Sequence, residues 1–473
     1  MGETDEGERD RVDLLVKNAD YLISMNGDRQ IIRDGALAIN GGAITAVGKT
    51  ADVMSQYPEA TRVIDASGHL LTPGFIDNHQ HLTPFFLRGL GDDVPLKVFL
   101  HDRLYPLEAA ITEEEAYVSS ACALLESIRH GTTTVCDPGS QSPEPSVQAV
   151  EDLGCRAVLT RSLTDMVGGR AMPGTFDSST DDAIAAGVAF VEANQGTGSG
   201  RVRPWFSLRT ERMVSDRLCA AIAELAKEYN TGIVSHMISN RDSVEHHQLV
   251  FDGERPIERY ERNGVLGPNL QLVHCHFLEE DECDLLAERD VKVSMCPTAS
   301  AVFGWGGLHR ATHLKLLDRS VTVGVGTDIG ACSHTTDILR IAQYFRVYRD
   351  VFEDSSLMPA ETILEHLTID GARSILWDDD IGSLEVGKRA DFLLFDLDRP
   401  EWVPLHNPIS NLCHGASGDS IDTVVIDGTV IVQKGEFVNI DARELMQRGR
   451  ELAGQVAART GLDAFAAPRW PVI

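Results

Sequence analysis

Eight short apolar runs occupy the middle of the chain, and helical stretches separate them. The runs begin at residues 70, 132, 156, 203, 231, 270, 292 and 321, with the sequences LLTPGFID, TTTVCD, RAVLTRS, RPWFSLRT, TGIVSHMIS, LQLVHCHF, KVSMCP and VTVGVGTD. Between the first two runs, Thr112 and Glu115 stand at capping-box spacing and Gly131 supplies a C-terminal cap. Eight strand–helix units predict an α/β fold, a (β/α)8 TIM-like barrel whose functional residues lie at the carboxyl ends of the strands.

Both ends of the chain carry a different pattern. Residues 13–66 alternate short apolar runs with glycine-containing turns, and the pattern returns near the C-terminus, where Asp427-Gly428 separates two β-branched runs. Strand-rich segments at both ends predict a small β-sandwich domain assembled from the two chain ends. The predicted divisions are residues 1–70 and 386–440 for the β-sandwich, 71–385 for the barrel and 441–473 for a C-terminal helical tail.

Composition limits which kinds of partner the protein can bind and in which cellular compartment it is expected. The formal net charge is −30, which argues against a nucleic-acid partner because phosphates would be repelled. No apolar stretch approaches the roughly 20 residues of a membrane span, and the charged start lacks the apolar segment of a signal peptide. The nine cysteines include no C-x-x-C pair, so neither a disulfide framework nor a thiolate zinc site is expected. We therefore predict a cytoplasmic protein that binds neither a membrane nor a nucleic acid.

Polar side chains mark the carboxyl ends of four predicted strands. Residues two apart in an extended chain point the same way, so the imidazoles of His79 and His81 can converge on one point. Single members of the set have ordinary explanations, since Asp328 could cap a helix and His236 could be a hydrogen-bonded core histidine. Together, several imidazoles and a carboxylate at one mouth predict a site for zinc, iron or cobalt. The set comprises His79, His81, His236, His274, His276 and Asp328.

Several longer motifs resemble the amidohydrolase superfamily, and within it the branch of S-adenosylhomocysteine and methylthioadenosine deaminases and triazine hydrolases. The resemblance covers nearly the whole chain. TPGFIDNHQHL matches the first-strand motif of that branch, and GSLEVGKRADFLLFDLD with DTVVIDGTVIVQKGEF is similar to its closing β-sandwich segment. The segments LRGLGDDVPLKVFL, YPLEAAIT and SIRHGTTTVCD resemble the stretches between them. The resemblance implies a metal-dependent hydrolase that acts on a small molecule.

The resemblance also implies roles for individual residues. His79, His81, His236 and Asp328 would hold one divalent transition metal ion, with Zn2+ first and Fe2+ or Co2+ as alternatives. Asp328 would also take a proton from the attacking water. His274 would orient that water and stabilise the developing oxyanion.

The predicted number of metal ions per chain depends on whether a lysine that could bridge two ions is present on a middle strand. Relatives with two metals usually bridge them through a modified lysine on a middle strand. No lysine occurs between Lys97 and Lys227, and the fourth run offers Arg209 instead. One metal ion per chain is therefore predicted.

One departure from the family pattern bears on the substrate. In the deaminases a glutamate usually follows the fifth-strand histidine by three residues and protonates a ring nitrogen. This chain has Ser239 there, and His276 stands one place away from the usual second histidine of the sixth strand. The change favours substrates that need little acid assistance: ureas, carbamates, thiocarbamates and halogenated heterocycles. An open alternative is that Glu245 or His246 supplies the missing acid.

Further side chains follow the predicted strands at the mouth. Phe85 and Phe86 could grip a flat or apolar substrate or belong to the rim of the core. Cys296 ends the seventh run, where a buried small hydrophobe is the expected role. The predicted substrate contacts are Arg88, Ser239, His276, Trp305 and His334.

Three functions are compatible with these observations. The first is a metal-dependent hydrolase of a C–N bond in a urea-like, carbamate-like or amide-like molecule or an amino-substituted N-heterocycle. The second is hydrolytic release of chloride or a thiolate, or nucleoside deamination with a substituted acid. The third is a non-catalytic binding protein, against which the complete metal and acid–base set argues. A homo-oligomer, a dimer or larger, is also expected.

Overall fold

Eight parallel strands form a nearly closed barrel in the computed structural model, which describes residues 11–166, 176, 178–468 and 470–471. Each strand pairs in parallel with the next one along the chain. The backbone N–H of Asn78 donates to the carbonyl of Val325 at 2.8 Å and links the first strand to the last. The predicted barrel is confirmed. Its strands are Phe75–Asp77, Thr132–Ser140, Arg156–Leu163, Val202–Thr210, Ile233–Met237, Leu270–His274, Lys292–Met295 and Val323–Val325.

Helices connect these strands on the outside of the barrel. Thr112 and Glu115 form the predicted capping box, in which the Glu115 N–H donates to Thr112 Oγ1 at 3.3 Å and the Thr112 N–H donates to Glu115 Oε2 at 2.9 Å. None of the helices in the described part of the chain is long and apolar enough to cross a bilayer. The longer helices are Glu113–Arg129, Glu144–Leu153, Thr180–Asn194, Asp216–Glu228, Arg241–Val250, Pro256–Arg262, Glu280–Glu288, Thr312–Asp318, Ala360–Leu367, Pro408–His414 and Ala442–Thr460.

Two further sheets come from the chain ends and pack as a sandwich. Leu37 and Ile39 of one sheet share an apolar core with Leu71 and Phe392 of the other. The smaller sheet consists of Ala43–Lys49, Gly35–Asn40, Arg11–Ala19 and Glu59–Asp65 in spatial order. The larger sheet mixes both ends and runs Glu436–Phe437, Thr429–Gln433, Ile421–Ile426, Phe392–Asp396, His69–Pro73, Tyr21–Ile23 and Ile31–Ile32. The extra sheets from both termini therefore match the prediction.

The first predicted barrel strand is divided between two sheets. Residues His69–Pro73 pair with Phe392–Asp396 in the larger sheet of the sandwich, and only Phe75–Asp77 enters the barrel. The change of sheet occurs at Gly74, whose N–H donates to the Asp391 carbonyl at 2.9 Å. A Cβ atom at Gly74 would lie 2.2 Å from Thr133 Oγ1, so only glycine fits where the chain crosses between the sheets.

A buried arginine fastens the amino-terminal end of the barrel to the sandwich. Arg156, at the start of the third barrel strand, donates from Nε to Asp391 Oδ2 at 2.7 Å and from Nη2 to Asp427 Oδ1 at 2.7 Å. A second bond from Nη2 to Asp391 Oδ1 at 3.1 Å makes the contact bidentate. The opposite end of the barrel, at the carboxyl ends of the strands, is formed by the loops that carry the candidate site.

A buried histidine pair predicts a pH-dependent stability. His313 and His366 are 0 % and 1 % exposed, and their Nε2 atoms lie 3.1 Å apart. Burial, with smaller contributions from His366 and His276, lowers the pKa of His313 well below its usual range. The native state therefore keeps His313 neutral, whereas the unfolded chain takes up a proton as the pH falls below about 6.5. The stability that His313 contributes is complete above that pH and is lost as the pH falls.

We expect His313→Leu to flatten this dependence. Between pH 6.5 and pH 5 the wild-type free energy of unfolding should fall more steeply than that of the variant, by about 2 kcal/mol over the interval. Urea unfolding at pH 7, 6 and 5 measures the difference, with exposed His406→Asn as the control that keeps the wild-type slope. Parallel pH profiles for wild type and His313→Leu would contradict the assignment.

Candidate metal centre and active site

Three histidines and an aspartate converge at the carboxyl end of the barrel. His79 and His81 directly follow the first strand, and residues Gln80–His81 pair with Asp328–Ile329 as a short parallel ladder. Asp328 Oδ1 lies 3.6 Å from His79 Nε2 and 3.7 Å from His81 Nε2. His236, at the end of the fifth strand, brings its Nε2 to 3.2 Å from His81 Nε2. The first, fifth and eighth strands thus deliver their polar side chains to one point.

The arrangement fits a metal ion. Candidate ligand atoms lie within 4.8 Å of one another in three overlapping groups, and Asp328 belongs to two of them. His79 is fully buried, and neither of its ring nitrogens has a hydrogen-bond partner among the described residues. Buried polar atoms are normally paired, and a metal ion bound by one of these nitrogens would give it a partner. The three groups are His79, His236 and His274; His79, His81 and Asp328; and His274, Cys296 and Asp328.

Burial keeps the site imidazoles in the form that binds metal. It is the largest cause that lowers the pKa of each of His79, His81 and His274 well below its usual range. The pKa of His236 is lowered for the same reason. A neutral imidazole retains a lone pair for a metal ion, so the four rings are held ready to coordinate without first losing a proton.

A buried carboxylate holds the two loops of the site together. Asp77 Oδ1 accepts hydrogen bonds from the backbone N–H of His79 at 3.2 Å and of Thr327 at 3.1 Å, and Oδ2 accepts from Thr327 Oγ1 at 2.6 Å. Burial raises the pKa of Asp77 to about 7. Through Asp77, the loop that follows the first strand is tied to the residue preceding Asp328. This support was not foreseen, because sequence gives no sign that residues 77 and 327 are neighbours.

The fourth strand orients His236. The Nδ1 of that ring lies 2.6 Å from the Arg209 carbonyl, which directs Nε2 toward the other site histidines. The Arg209 guanidinium is buried, donating to Glu108 Oε2 at 2.8 Å and to Ser162 Oγ at 3.1 Å. Sequence reasoning marked Arg209 only as the residue in place of a lysine and missed Glu108, which lies on a separate short helix, Tyr105–Ala110.

Two site residues adopt positive φ angles, which residues other than glycine rarely adopt. His274 has φ of 79° and Asp328 has φ of 65°. Such left-handed conformations cost free energy for residues other than glycine and persist where the surrounding structure enforces them. Here they turn both side chains toward the mouth at the ends of the sixth and eighth strands.

Two predicted substrate contacts lie against His274. Trp305 meets the His274 ring edge to face, with centroids 5.1 Å apart, and His276 lies 5.8 Å from Trp305 and 6.1 Å from His274. His276 is 1 % exposed, and burial lowers its pKa to about 4. His276 and Trp305 therefore lie beside His274, and their contact with a substrate stays a prediction.

Ser239 stands just beyond the fifth strand, and its hydroxyl lies 3.4 Å from that of Ser243. Helix Arg241–Val250 begins there, with Asn240 as its N-cap. Glu245 and His246, the alternative sources of an acid, are exposed on this helix. Either side chain would have to leave the surface to replace the missing carboxylic acid.

Two other predicted contacts are bound to neighbouring side chains. Arg88 Nη2 pairs with Glu126 Oε2 at 2.6 Å, and His334 Nε2 lies 2.7 Å from Asp92 Oδ1. The guanidinium of Arg88 also stacks 4.3 Å from the centroid of the Phe85 ring. A substrate would reach either side chain only in competition with these partners.

Phe86 and Cys296 behave as core residues. Phe86 is 9 % exposed and Cys296 is fully buried, and both belong to one apolar cluster. Cys296 lies within ligand distance of His274 and Asp328, but burial raises the pKa of its thiol well above the usual range. A protonated thiol is a poor ligand, consistent with the packing role predicted for Cys296.

Comparison with known proteins identifies the family. The model of the amidohydrolase family matches residues 70–431, which is most of the chain. The chain belongs to the amidohydrolase family. As predicted, it is a hydrolase that acts on carbon–nitrogen bonds. A short segment, residues 35–60, also matches an imidazolonepropionase-like composite domain from bacteria.

Individual relatives are similar to this chain over nearly its whole length. A 5-methylthioadenosine/S-adenosylhomocysteine deaminase from Syntrophobacter fumaroxidans is 31 % identical over 94 % of this chain and 98 % of its own length. The crystal structure of an adenosine deaminase from Xanthomonas campestris with bound zinc superposes with a TM-score of 0.88 at 27 % identity, covering 95 % of this chain and 99 % of that one. An atrazine chlorohydrolase from Arthrobacter aurescens TC1, complexed with zinc, has a TM-score of 0.85 at 23 % identity over 93 % and 100 % of the two chains, and shares the fold.

Proposed function

We propose that this amidohydrolase uses one divalent transition metal ion, most simply Zn2+ with Fe2+ or Co2+ as alternatives, to hydrolyse a C–N bond of a small urea-, carbamate- or amide-like molecule or an amino-substituted N-heterocycle. The observation that carries the proposal is the approach of Asp328 to within 3.7 Å of two histidine nitrogens, beside a third histidine ring. Three imidazoles and one carboxylate are a typical donor set for such an ion. The proposed ligands are His79, His81, His236 and Asp328.

A metal ion held by these residues would supply a strong nucleophile from water at neutral pH and would polarise the atom under attack. The proton chemistry falls to the protein. Asp328 is placed to take the proton from the attacking water and pass it toward the leaving group. His274, whose ring centroid lies 5.6 Å from those of His79 and His236, is placed to orient the water and stabilise the oxyanion.

The proposed substrate has a leaving group that needs little protonation. Ser239 occupies the position of the deaminase acid, and Glu245 and His246 stay on the surface of their helix. Ureas, carbamates and amino-substituted heterocycles with activated amines fit this site, and release of chloride or a thiolate is the second candidate. Nucleoside deamination with a substituted acid remains the third, favoured by the relatives that carry deaminase names.

The remaining proposals concern contacts, assembly and compartment. Arg88, Ser239, His276, Trp305 and His334 are proposed to line the substrate site, with His276 and Trp305 nearest to His274. A cytoplasmic homo-oligomer, a dimer or larger, is proposed. Gel filtration with light scattering tests the assembly, and a single species at the mass of one chain would contradict it.

Substitution of Ser239 tests the substrate class. We expect Ser239→Glu to leave the natural reaction unimproved or slower, because an anion would be placed in a partly dry site. The unaltered protein should be a poor nucleoside deaminase, because general-acid assistance of about 10²–10⁴-fold is missing. Ammonia, amine and chloride release is measured over S-adenosylhomocysteine, methylthioadenosine, a phenylurea, a thiocarbamate and a chlorotriazine.

Ser239→Gln is the matched control, since glutamine has the size of glutamate without its charge. A gain in nucleoside deamination with Ser239→Glu but not with Ser239→Gln would show that the site still accepts the family acid. Efficient deamination of either nucleoside by the unaltered protein would overturn the proposed substrate class.

A further inference from the structure

A surface helix follows the eighth barrel strand and the loop that carries His334. Residues 338–351 are helical without a break, because the backbone at both junctions between the helical segments keeps right-handed helical angles. The inner side of this helix belongs to the main apolar core, where Phe345 and Tyr348 are fully buried. The outer side is exposed to solvent. The segments are Ile338–Gln343, Tyr344–Arg346 and Val347–Val351.

The outer side of the 338–351 helix is apolar at its centre and charged at both ends. Tyr344 and Val347 are 45 % and 41 % exposed, which is high for large hydrophobic side chains. Aromatic side chains and arginine are enriched in protein–protein interfaces, so this composition indicates a contact surface. The exposed side chains share one face, at successive intervals of four, three and three residues: Arg340, Tyr344, Val347 and Asp350.

A groove of about 490 Å³ runs beside this face. Tyr344, Arg346 and Val347 line it from the helix, and Ser333 and Thr335 line it from the loop after the eighth strand. The groove can therefore receive side chains from a second molecule that packs on the helix.

Two neighbouring side chains extend the apolar surface. Val302 is 43 % exposed and ends helix Pro297–Val302, which packs against the 338–351 helix. Phe352, which directly follows the 338–351 helix, is 37 % exposed. A stable interface buries about 800 Å² on each partner, more than one helix face provides. The contact surface therefore includes these neighbours as well as the helix.

The charges on the helix face are complementary to those of a second copy of the same face. Neither Arg340 nor Asp350 forms a salt bridge with another described residue. Ten residues of helix separate them by about 15 Å along the axis, so they cannot pair within one chain. When two copies of the helix meet antiparallel, with the two-fold axis at Phe345, Arg340 of each copy faces Asp350 of the other. In the same register, Tyr344 of each copy faces Arg346 of the other, which suits a cation–π contact.

The net charge of the chain favours a contact at this place. Two copies that each carry a formal charge of −30 repel one another over most of their surfaces. A face on which arginines meet a carboxylate and an aromatic ring offsets part of that repulsion, whereas contact between two acidic surfaces would add to it.

We propose that the outer face of the 338–351 helix forms the two-fold interface of a homodimer, with Arg340 of each copy paired to Asp350 of the other around a centre of Tyr344 and Val347. This proposal rests on the homo-oligomer of the proposed function and deepens it by naming the surface and its symmetry. The contact is isologous, so it closes with two copies and does not extend into a filament.

Charge reversal tests the pairing between copies. Arg340→Asp and Asp350→Arg each place like charges opposite one another twice in the dimer, and each should raise the dimer dissociation constant at least about 10-fold. The double variant Arg340→Asp/Asp350→Arg restores opposite charges only across the interface, and its dissociation constant should return to within about 3-fold of wild type. Sedimentation equilibrium of the metal-loaded full chain over a dilution series measures the constant. Exposed Arg443→Asp and Asp398→Arg are the matched controls, since they change the net charge equally and should dimerise as wild type does.

Substitution at the centre tests the apolar contact. Val347→Lys places a charge among apolar side chains of both copies and should weaken the dimer at least about 10²-fold. Val386→Lys, at a valine that is 64 % exposed elsewhere on the surface, is the control and should leave the dimer intact. Thermal unfolding identifies a variant that has failed to fold, and the charge-reversal set, which changes only exposed side chains, then carries the test.

The outcomes separate this interface from the proposed function. An oligomeric wild type that neither single charge reversal nor Val347→Lys weakens would overturn the interface and leave the homo-oligomer standing. Single variants that weaken the dimer without recovery in the double variant would overturn the antiparallel pairing. A wild type that stays monomeric at every concentration would overturn both the interface and the homo-oligomer. Metal content and turnover, measured on the same samples, decide the proposed hydrolase activity independently.

Discussion

His79→Ala is expected to lose its metal ion and its activity together. His79 is fully buried and lies next to His81, His236 and Asp328, so no other ligand or water can readily take its place. Structural zinc sites depend on the complete ligand set, and the loss of one ligand weakens the whole site. Metal content should fall from about one ion per chain to a small fraction, and turnover should fall at least about 10³-fold, since the metal contributes several kcal/mol to catalysis.

Elemental analysis and activity on the same preparation measure this result. His309→Ala, at an exposed position in the short helix Gly307–Arg310, is the control that should keep both metal and rate. Removal of metal from wild type with a chelator should reproduce the loss, and addition of Zn2+, Fe2+ or Co2+ should restore it and rank the three ions. Active protein without a metal ion would refute the centre, and two ions per chain would refute the single-metal proposal.

The candidate site could be located from sequence because the functional residues of (β/α)8 barrels lie at the carboxyl ends of the strands. Parallel strands finish at one end of the barrel, so His79, His236, His274 and Asp328 were expected to converge although about 250 residues separate the first from the last. The capping box at Thr112 was predictable for a similar reason, since its signal lies within four residues. Periodicity and local spacing therefore predicted the barrel and the convergence of these side chains at one end of it.

The features that sequence did not predict depend on contacts between distant segments. The pairing of Glu108 with Arg209 joins residues 101 apart in the chain, and neither position has a local signal. The need for glycine at residue 74, where the first run is divided between two sheets, follows from the side chain of Thr133, which approaches too closely for any Cβ. The restraint of Arg88 by Glu126 likewise appears only when the loop and the helix are brought together. Each case is a tertiary contact, which pattern alone cannot specify.

Similarity to the relatives and the identity of the site residues give different information about the substrate. The likeness to proteins named as deaminases spans nearly the whole chain, because it measures the barrel, the sandwich and the shared motifs. The substrate, by contrast, depends on a few side chains around the mouth. Ser239, His276 and Trp305 are proposed to be such side chains, and none of the three carries a carboxylic acid. Substrate choice is thus the point at which this amidohydrolase is expected to differ from its named relatives.

Asp328→Asn separates proton transfer from metal binding. The amide preserves the shape of the carboxylate, and its oxygen can occupy the position of Oδ1, which accepts from the Ile329 N–H at 2.8 Å and faces both His79 and His81. It cannot accept the proton of the attacking water, because an amide is a far weaker base than a carboxylate. We therefore expect metal binding to be weakened but partly retained, and turnover per bound metal ion to fall at least about 10²-fold. Exposed Asp398→Asn is the matched control and should keep the wild-type rate.

Rate per bound metal ion is the decisive quantity for Asp328, since it removes the effect of incomplete loading. It is obtained by titrating the variant with Zn2+ and measuring metal content and turnover on each sample. If Asp328 acts only as a ligand, the rate per ion recovers as the site fills; if it also moves the proton, the rate per ion stays low at full occupancy. Near-normal turnover in the fully loaded variant would show that another group takes the proton, and His274, the neighbouring base at the mouth, would then be the first residue to substitute.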